Sequence, residues 1–126
     1  MTSQNPPLSD LEKINSKFES KLFLDAKIES QELLKKFPRS DILLGVLGIN
    51  LVKMGDFEDA REKFLLALKI NPTKPEYFYQ LGVVEASLSN LKSAIQNFRR
   101  AIDLGLKSYN CYLKLARCLD KTGASE

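Results

Sequence analysis

The sequence contains no histidine, and this absence excludes several kinds of chemistry at once. Histidine is the commonest general base and metal ligand, and it activates many nucleophiles. The sequence also offers no glycine-rich phosphate loop and no nucleophile paired with a base. One acidic cluster, formed by Asp56, Glu58 and Asp59, lies at a predicted turn and helix start, where acidic side chains suit the helix dipole. We therefore expect no enzyme activity and no cofactor.

Cysteines are scarce, since the chain has only Cys111 and Cys118. Both lie on one predicted helix, and at a rise of about 1.5 Å per residue they are about 10 Å apart. That distance is too long for a disulfide bond, and two thiolates alone do not make a closed zinc site. We expect both cysteines to be small core residues and the chain to hold no metal.

Long apolar runs and a strong net charge are also missing. No run approaches the roughly 18 apolar residues that a membrane-spanning helix requires. The polar start, MTSQNPPLSD, has no apolar signal segment. The formal net charge of +3 is small, and basic residues do not cluster as they do on nucleic-acid-binding proteins. We expect a cytoplasmic protein that binds neither membranes nor nucleic acids.

Apolar side chains recur at helical spacing along most of the chain, and no stretch alternates for long enough to predict a strand. Ser9 or Asp10 is expected to cap the first helix, and Ser40 or Asp41 the third. Pro38 should end the second helix, and Gly105 the sixth. The later helices are predicted at about residues 22–37, 41–54, 57–70, 74–88, 91–104 and 108–121.

Two stretches of the chain match each other at a spacing of 34 residues. The matched pairs are Leu47-Gly48 with Leu81-Gly82, Ala60 with Ala94, Phe64 with Phe98, and Ala67 with Ala101. This period and pattern resemble the tetratricopeptide repeat family. The resemblance implies an all-α fold, a right-handed α-solenoid of antiparallel helix pairs with about seven helices. The glycines are expected to let the two helices of a pair approach closely.

The repeat spacing divides the chain into five segments. They are a flexible lead-in at residues 1–7, a degenerate repeat at 8–40, full repeats at 41–74 and 75–108, and a terminal half-repeat at 109–126. Leu44 departs from the family pattern, because a large aromatic residue is usual there. Residues 121–126 resemble the turn between the helices at 54–58. The last helix is therefore either a cap or the point where a longer protein continues.

The family resemblance also implies where a partner binds, because the first helix of each pair lines the concave surface. The partner-binding residues expected on this surface are Leu11, Ile42, Ile49, Val52, Tyr79, Val83, Leu113 and Arg117. Most are apolar, which favours a peptide or an amphipathic helix as the partner. Two alternatives remain open: the chain's own packing covers this surface, or the surface mediates homo-oligomerisation.

Family members that bind the acidic tails of chaperones use lysine, asparagine and arginine at set positions. In one register this chain has Leu11, Asn15, Val46, Glu76 and Gln80 there, and in the next it has Gly45, Ile49, Gln80, Asn110 and Lys114. One match in each register predicts that chaperone tails are not its ligands.

The leading hypothesis is a non-catalytic protein-interaction scaffold. The alternative is an N-terminal scaffold region of a larger enzyme, such as a glycosyltransferase or a sulfotransferase.

Overall fold

The computed structural model describes residues 4–123, and every regular element within that range is an α-helix. The number of helices in the described range agrees with the predicted seven. Their bounds are α1 Leu8–Glu19, α2 Phe23–Lys36, α3 Asp41–Lys53, α4 Phe57–Ile70, α5 Pro75–Ser87, α6 Leu91–Asp103 and α7 Tyr109–Thr122. The helices belong to two compact units, one ending at Asn71 and one beginning at Pro72.

Local interactions and backbone conformation explain where three of the helices begin or end. Ser40 caps α3 as expected, because its side chain accepts a hydrogen bond of 3.1 Å from the Leu43 amide. The expected caps of α1 are wrong, since that helix begins at Leu8 directly after Pro7. The carbonyl of Pro7 accepts the amide of Asp10 at 3.0 Å, so proline supplies the helix start itself. Gly105 follows α6 with a positive φ of 103°, the conformation that glycine adopts after a helix end.

In the first unit α1 packs against α2, α2 against α3, and α3 against α4. A core cluster joins the first three of these helices through Ile14, Ala26 and Leu43. Phe64 on α4 is fully buried against α3. A Cβ atom built on Gly48 would lie 2.7 Å from the Phe64 ring. Only glycine therefore fits at this contact without moving the ring.

In the second unit α5 packs against α6, and α7 packs against both. The same contact recurs here, since a Cβ atom on Gly82 would lie 2.5 Å from the Phe98 ring. Phe98 also belongs to the core cluster that contains Cys111 and Cys118 of α7. Both cysteines are free and buried, which confirms their predicted place in the core.

A buried amide ties α3 to the start of α2 in the first unit. Asn50 is fully buried, and its Nδ2 donates a hydrogen bond of 2.6 Å to the carbonyl oxygen of Phe23. We expect Asn50→Ala to lower the free energy of unfolding by about 1 to 3 kcal/mol, because it leaves a buried gap and removes the donor. Urea unfolding followed by circular dichroism measures this cost. The control is Asn15→Ala on exposed α1 surface, which should change stability by about 0.5 kcal/mol or less. Equal effects of the two substitutions would contradict a structural role for Asn50.

The two ends of the chain carry predictions that remain untested. Residues 1–3 of the predicted flexible lead-in lie outside the described range, as do residues 124–126 of the predicted final turn. Within the lead-in, Pro6 is buried and Asn5 Oδ1 accepts a hydrogen bond from the Ser40 hydroxyl. These contacts attach residues 5 and 6 to the helix start at Ser40, while the flexibility of the segment stays a prediction.

Candidate functional site

A concave groove lies between α5 and α7 in the second unit. We call it the α5–α7 groove, and its volume is about 280 Å³. The lining residues are Val83, Ala86, Ser87, Phe98, Lys114, Arg117, Cys118 and Lys121. No carboxylate occurs among the described residues that line it. The groove therefore combines an apolar side with a positively charged side.

The positive side of the groove comes from one face of α7. Lys114, Arg117 and Lys121 are spaced by three and four residues, so they lie on the same side of the helix. Arg117 and Lys121 are exposed, and Lys114 is half-buried. Three cations held on one helix face can interact with the carboxylates of a ligand, and Arg117 can do so through two parallel hydrogen bonds.

The floor of the groove is apolar and chemically inert. Val83 and Ala86 lie on α5, opposite the cations, and Phe98 lies beneath them. Cys118 is 4% exposed. Burial raises the pKa of its thiol, and the nearby Lys121 and Lys114 only partly oppose that change. The thiol is therefore protonated near neutral pH and is a poor nucleophile. The groove can hold a ligand, but it offers no activated group for a reaction.

The structure brings two of the predicted partner-binding residues of the second unit together in this groove. Val83 and Arg117 line it from opposite helices. Tyr79 is half-buried, and its ring packs 5.9 Å from the Phe98 ring, so a large part of this side chain belongs to the core. Burial also raises the pKa of Tyr79, with a smaller contribution from Cys111. Leu113 is half-buried on α7 and does not line the groove.

The remaining predicted residues lie in the first unit. Ile42, Ile49 and Val52 share one side of α3 by their spacing, with Ile42 37% exposed and the other two half-buried. Leu11 packs against the core cluster of Ile14, Ala26 and Leu43. Leu11 therefore has a structural role whether or not it also contacts a partner. The assignment of all eight residues to partner binding stays a prediction.

A second cavity lies in the first unit, and Leu44 is one of its lining residues. It measures about 410 Å³ and is lined by Pro38, Arg39, Leu44, Leu66, Lys69 and Ile70. In the next repeat the positions of Leu44 and Leu66 are occupied by Phe78 and Arg100, and the guanidinium lies 5.8 Å from the ring centre. That pair is larger than two leucines. None of the predicted partner-binding residues lines this cavity, so we do not treat it as the functional site.

A third cavity, between α1 and α2, has lining residues of both charge signs. Asp10, Lys13, Glu29, Glu32 and Lys36 line it together with Leu33. Its mixed charges favour no particular sign of ligand, unlike the α5–α7 groove.

The sequence did not predict Lys121, Ser87 or Cys118 as groove residues. The spacing of Lys114, Arg117 and Lys121 could have indicated a basic face on α7. It could not have indicated that Val83 and Ala86 lie across from that face, because this depends on how α5 and α7 pack.

The described residues 4–123 also bear on two other kinds of site. No group of three or more cysteine, aspartate and glutamate side chains in this part of the chain is arranged to hold a metal ion. Among the same residues, no helix has both the length and the apolar character needed to cross a membrane.

Comparisons with known proteins agree on the family. A family model described as Tetratricopeptide repeat matches residues 75–104. The chain is 37% identical over 81 residues to Tetratricopeptide repeat protein 17 of Homo sapiens, a match that covers 63% of this chain. The same match covers 7% of that relative, so the chain spans only a small part of its length.

Solved structures confirm the predicted all-α fold. The first TPR of Spaghetti (RPAP3), determined bound to the HSP90 peptide SRMEEVD, has a TM-score of 0.88 at 17% identity and covers 93% of both chains. The crystal structure of MamA has a TM-score of 0.81 at 26% identity, with 87% of this chain and 64% of that chain covered. The sequence period, the glycine–phenylalanine contacts and these matches all lead to one assignment. The chain contains a tetratricopeptide repeat at residues 75–104 and has the fold of that family.

Proposed function

We propose that this chain is a non-catalytic protein-interaction module that holds a peptide segment of another protein in the α5–α7 groove. The observation that carries the proposal is the composition of the groove. It has an apolar floor, three cations on one side, and no carboxylate among its described lining residues. Members of this family are generally interaction modules without catalytic activity.

The two sides of the groove define the ligand that fits it. Val83 and Ala86 favour apolar side chains of the ligand, whose burial supplies affinity. The basic face of α7 favours carboxylates, which increase the association rate and fix the orientation of the ligand. An amphipathic segment with acidic residues beside small apolar ones satisfies both sides.

A structural relative supports the binding of a peptide but does not identify the ligand. The RPAP3 domain was solved with an HSP90 peptide that contains two glutamates and an aspartate. The present chain has Val46 and Glu76 at two positions where chaperone-tail binders use asparagine and lysine. We therefore propose an acidic amphipathic segment from a protein other than these chaperones.

Several expectations drawn from the sequence are part of this proposal or are compatible with it. The eight predicted partner-binding residues, a cytoplasmic location, the absence of a cofactor and possible homo-oligomerisation stay predictions. So does the alternative that the chain is the scaffold region of a larger enzyme.

The test uses pairs of short amphipathic peptides that differ only in having glutamate or glutamine at their polar positions. Binding to the chain is measured by fluorescence anisotropy. We expect at least one glutamate peptide to bind, and its glutamine partner to bind about tenfold more weakly or worse. The double variant Arg117→Glu/Lys121→Glu should weaken binding of the glutamate peptide by about tenfold or more, because it reverses two charges of the groove.

The matched control is Lys92→Glu/Lys107→Glu, which changes the net charge equally at exposed positions that do not line the groove. We expect it to weaken binding by about threefold at most, since distant surface charges are screened by salt. Equal losses for both variants would show that net charge alone drives binding and would contradict the groove as the site. A panel in which no glutamate peptide binds would contradict the proposed ligand class.

A further inference from the structure

The cavity of about 410 Å³ in the first unit, which we call the α3–α4 cavity, lies between the first turn of α3 and the last turns of α4. Its apolar lining consists of Pro38, Leu44, Leu66 and Ile70. Leu44 is 5% exposed and Leu66 is 40% exposed, so the cavity extends from the helix pair to the protein surface. An apolar cavity of about 150 Å³ is large enough to hold benzene. The α3–α4 cavity therefore has room for an aromatic side chain.

The next repeat of the same chain has an aromatic ring at the equivalent place. Phe78 and Arg100 follow Leu44 and Leu66 by 34 residues. The Arg100 guanidinium lies 5.8 Å from the centre of the Phe78 ring, which is a cation–π contact. A phenyl ring with a cation beside it is thus compatible with the packing of a helix pair of this chain. In the first unit the two leucines supply neither the ring nor the charge.

The α3–α4 cavity has cations that come from other positions. Arg39 and Lys69 line it, and both are exposed. No carboxylate occurs among its described lining residues. The equivalent residues of the next repeat are Thr73 and Asp103, so the two cations are not a feature of the repeat itself. Cations beside an apolar cavity can contact the face of an aromatic ring and can pair with carboxylates next to that ring.

We propose that the α3–α4 cavity binds a phenylalanine side chain of a partner protein, in a segment with an acidic residue on each side of that phenylalanine. The ring occupies the space that corresponds to the Phe78 ring in the next repeat. Arg39 and Lys69 hold the two carboxylates at the protein surface. The α3–α4 cavity shares no lining residue with the α5–α7 groove, so this proposal does not depend on the function proposed for that groove.

The probe is a short peptide with the sequence Gly-Glu-Phe-Glu-Gly, blocked at both ends. Its binding to the full chain is followed by nitrogen–proton correlation NMR, which measures the affinity and also locates the affected amides. We expect a Kd of about 0.1 to 1 mM, with the largest shifts at residues 38–44 and 66–70.

Three altered ligands test which chemical groups the cavity recognises. Cyclohexylalanine in place of phenylalanine keeps the apolar size but removes the aromatic electrons, and it should weaken binding by about three- to fivefold. Glutamine in place of both glutamates should weaken it by about tenfold. Phenylacetate has the ring and one carboxylate but no peptide chain, and it should bind at least about tenfold more weakly than the peptide.

Leu44→Phe tests whether the ring of the ligand enters the cavity. This substitution gives the first unit the residue type of Phe78, so the chain's own ring takes the space. We expect binding to weaken by about tenfold or more, and circular dichroism establishes that the variant is folded. The matched control is Leu24→Phe on α2, which adds the same ring at a position that is 58% exposed and does not line the cavity. It should leave the Kd within about twofold.

Reversing the two cations gives a second test, which decides the proposal if the leucine-to-phenylalanine variant does not fold. Arg39→Glu/Lys69→Glu changes exposed side chains and should weaken peptide binding by about tenfold or more. The control Lys92→Glu/Lys107→Glu makes the same charge change at exposed positions away from the cavity. We expect it to weaken binding by about threefold at most, because distant surface charges are screened by salt.

Any of five results would overturn the proposal. They are no saturable binding of the peptide, unchanged affinity in a folded Leu44→Phe chain, equal losses for the two charge reversals, equal affinity for phenylacetate, and largest shifts at residues 114–121. The last result would assign the peptide to the α5–α7 groove and would support the function proposed there. The two proposals can therefore fail separately.

Discussion

Replacing Phe64 with alanine is expected to lower the free energy of unfolding by about 3 to 5 kcal/mol. The ring is fully buried, and it fills the space in front of Gly48 on the paired helix. Its loss removes apolar burial and leaves a cavity that the rigid helix pair cannot close completely. Urea unfolding followed by circular dichroism measures the change.

Phe64→Ala should also reverse the sign of the stability change that Gly48→Ala causes. In the unmodified chain Gly48→Ala places a methyl group 2.7 Å from the Phe64 ring, so we expect a loss of about 1 to 3 kcal/mol. In the Phe64→Ala chain the ring is absent, and alanine is the better helix former by about 0.5 to 1 kcal/mol. Gly48→Ala should therefore stabilise that variant. Destabilisation of similar size in both chains would mean that the ring is not what excludes a side chain at Gly48.

The second large effect that we expect is the loss of stability caused by Gly82→Leu. A Cβ atom at this position already lies 2.5 Å from the Phe98 ring, and three further carbon atoms have no free space. Phe98 is itself held in the core cluster with Cys111 and Cys118, so the ring cannot move away freely. We expect a loss of at least about 1 to 3 kcal/mol in the free energy of unfolding.

The control for this substitution lies at the equivalent position of the next helix. Ala116→Leu adds a leucine 34 residues later, at an exposed position. Its effect should be about 0.5 kcal/mol or less, because leucine is a good helix former and makes no clash. Comparable losses at both positions would show that the repeat position itself disfavours leucine. Such a result would mean that the Phe98 ring is not the cause of the stability loss at Gly82.

Helix positions were largely predictable because they depend on neighbouring residues. The predicted bounds of the later helices differ from the observed ones by one residue or so, as for α6, predicted to end near residue 104 and observed as Leu91–Asp103. The wrongly predicted caps of α1 also have a local cause. Ser9 and Asp10 resemble caps, but the carbonyl of Pro7 had already become the first acceptor of the helix.

Residues that line the groove were harder to predict, because α3 and α5 carry apolar residues on several sides. Tyr79 and Val83 are both half-buried on α5 and both pack against the core cluster that contains Phe98, yet only Val83 lines the groove. Spacing along the helix cannot separate these two environments. They differ only through what lies opposite each side chain.

The sequence by itself determined the repeat and the order of the helices. These features follow from residue types and their spacing along the chain, and both have their effect within a single helix pair. The tertiary structure decided that Val83 and Ala86 meet the cations of α7, and that the rings of Phe64 and Phe98 pack on the glycines of the paired helices. Such facts depend on distances between residues of different helices, and these are set by the packing of whole helices.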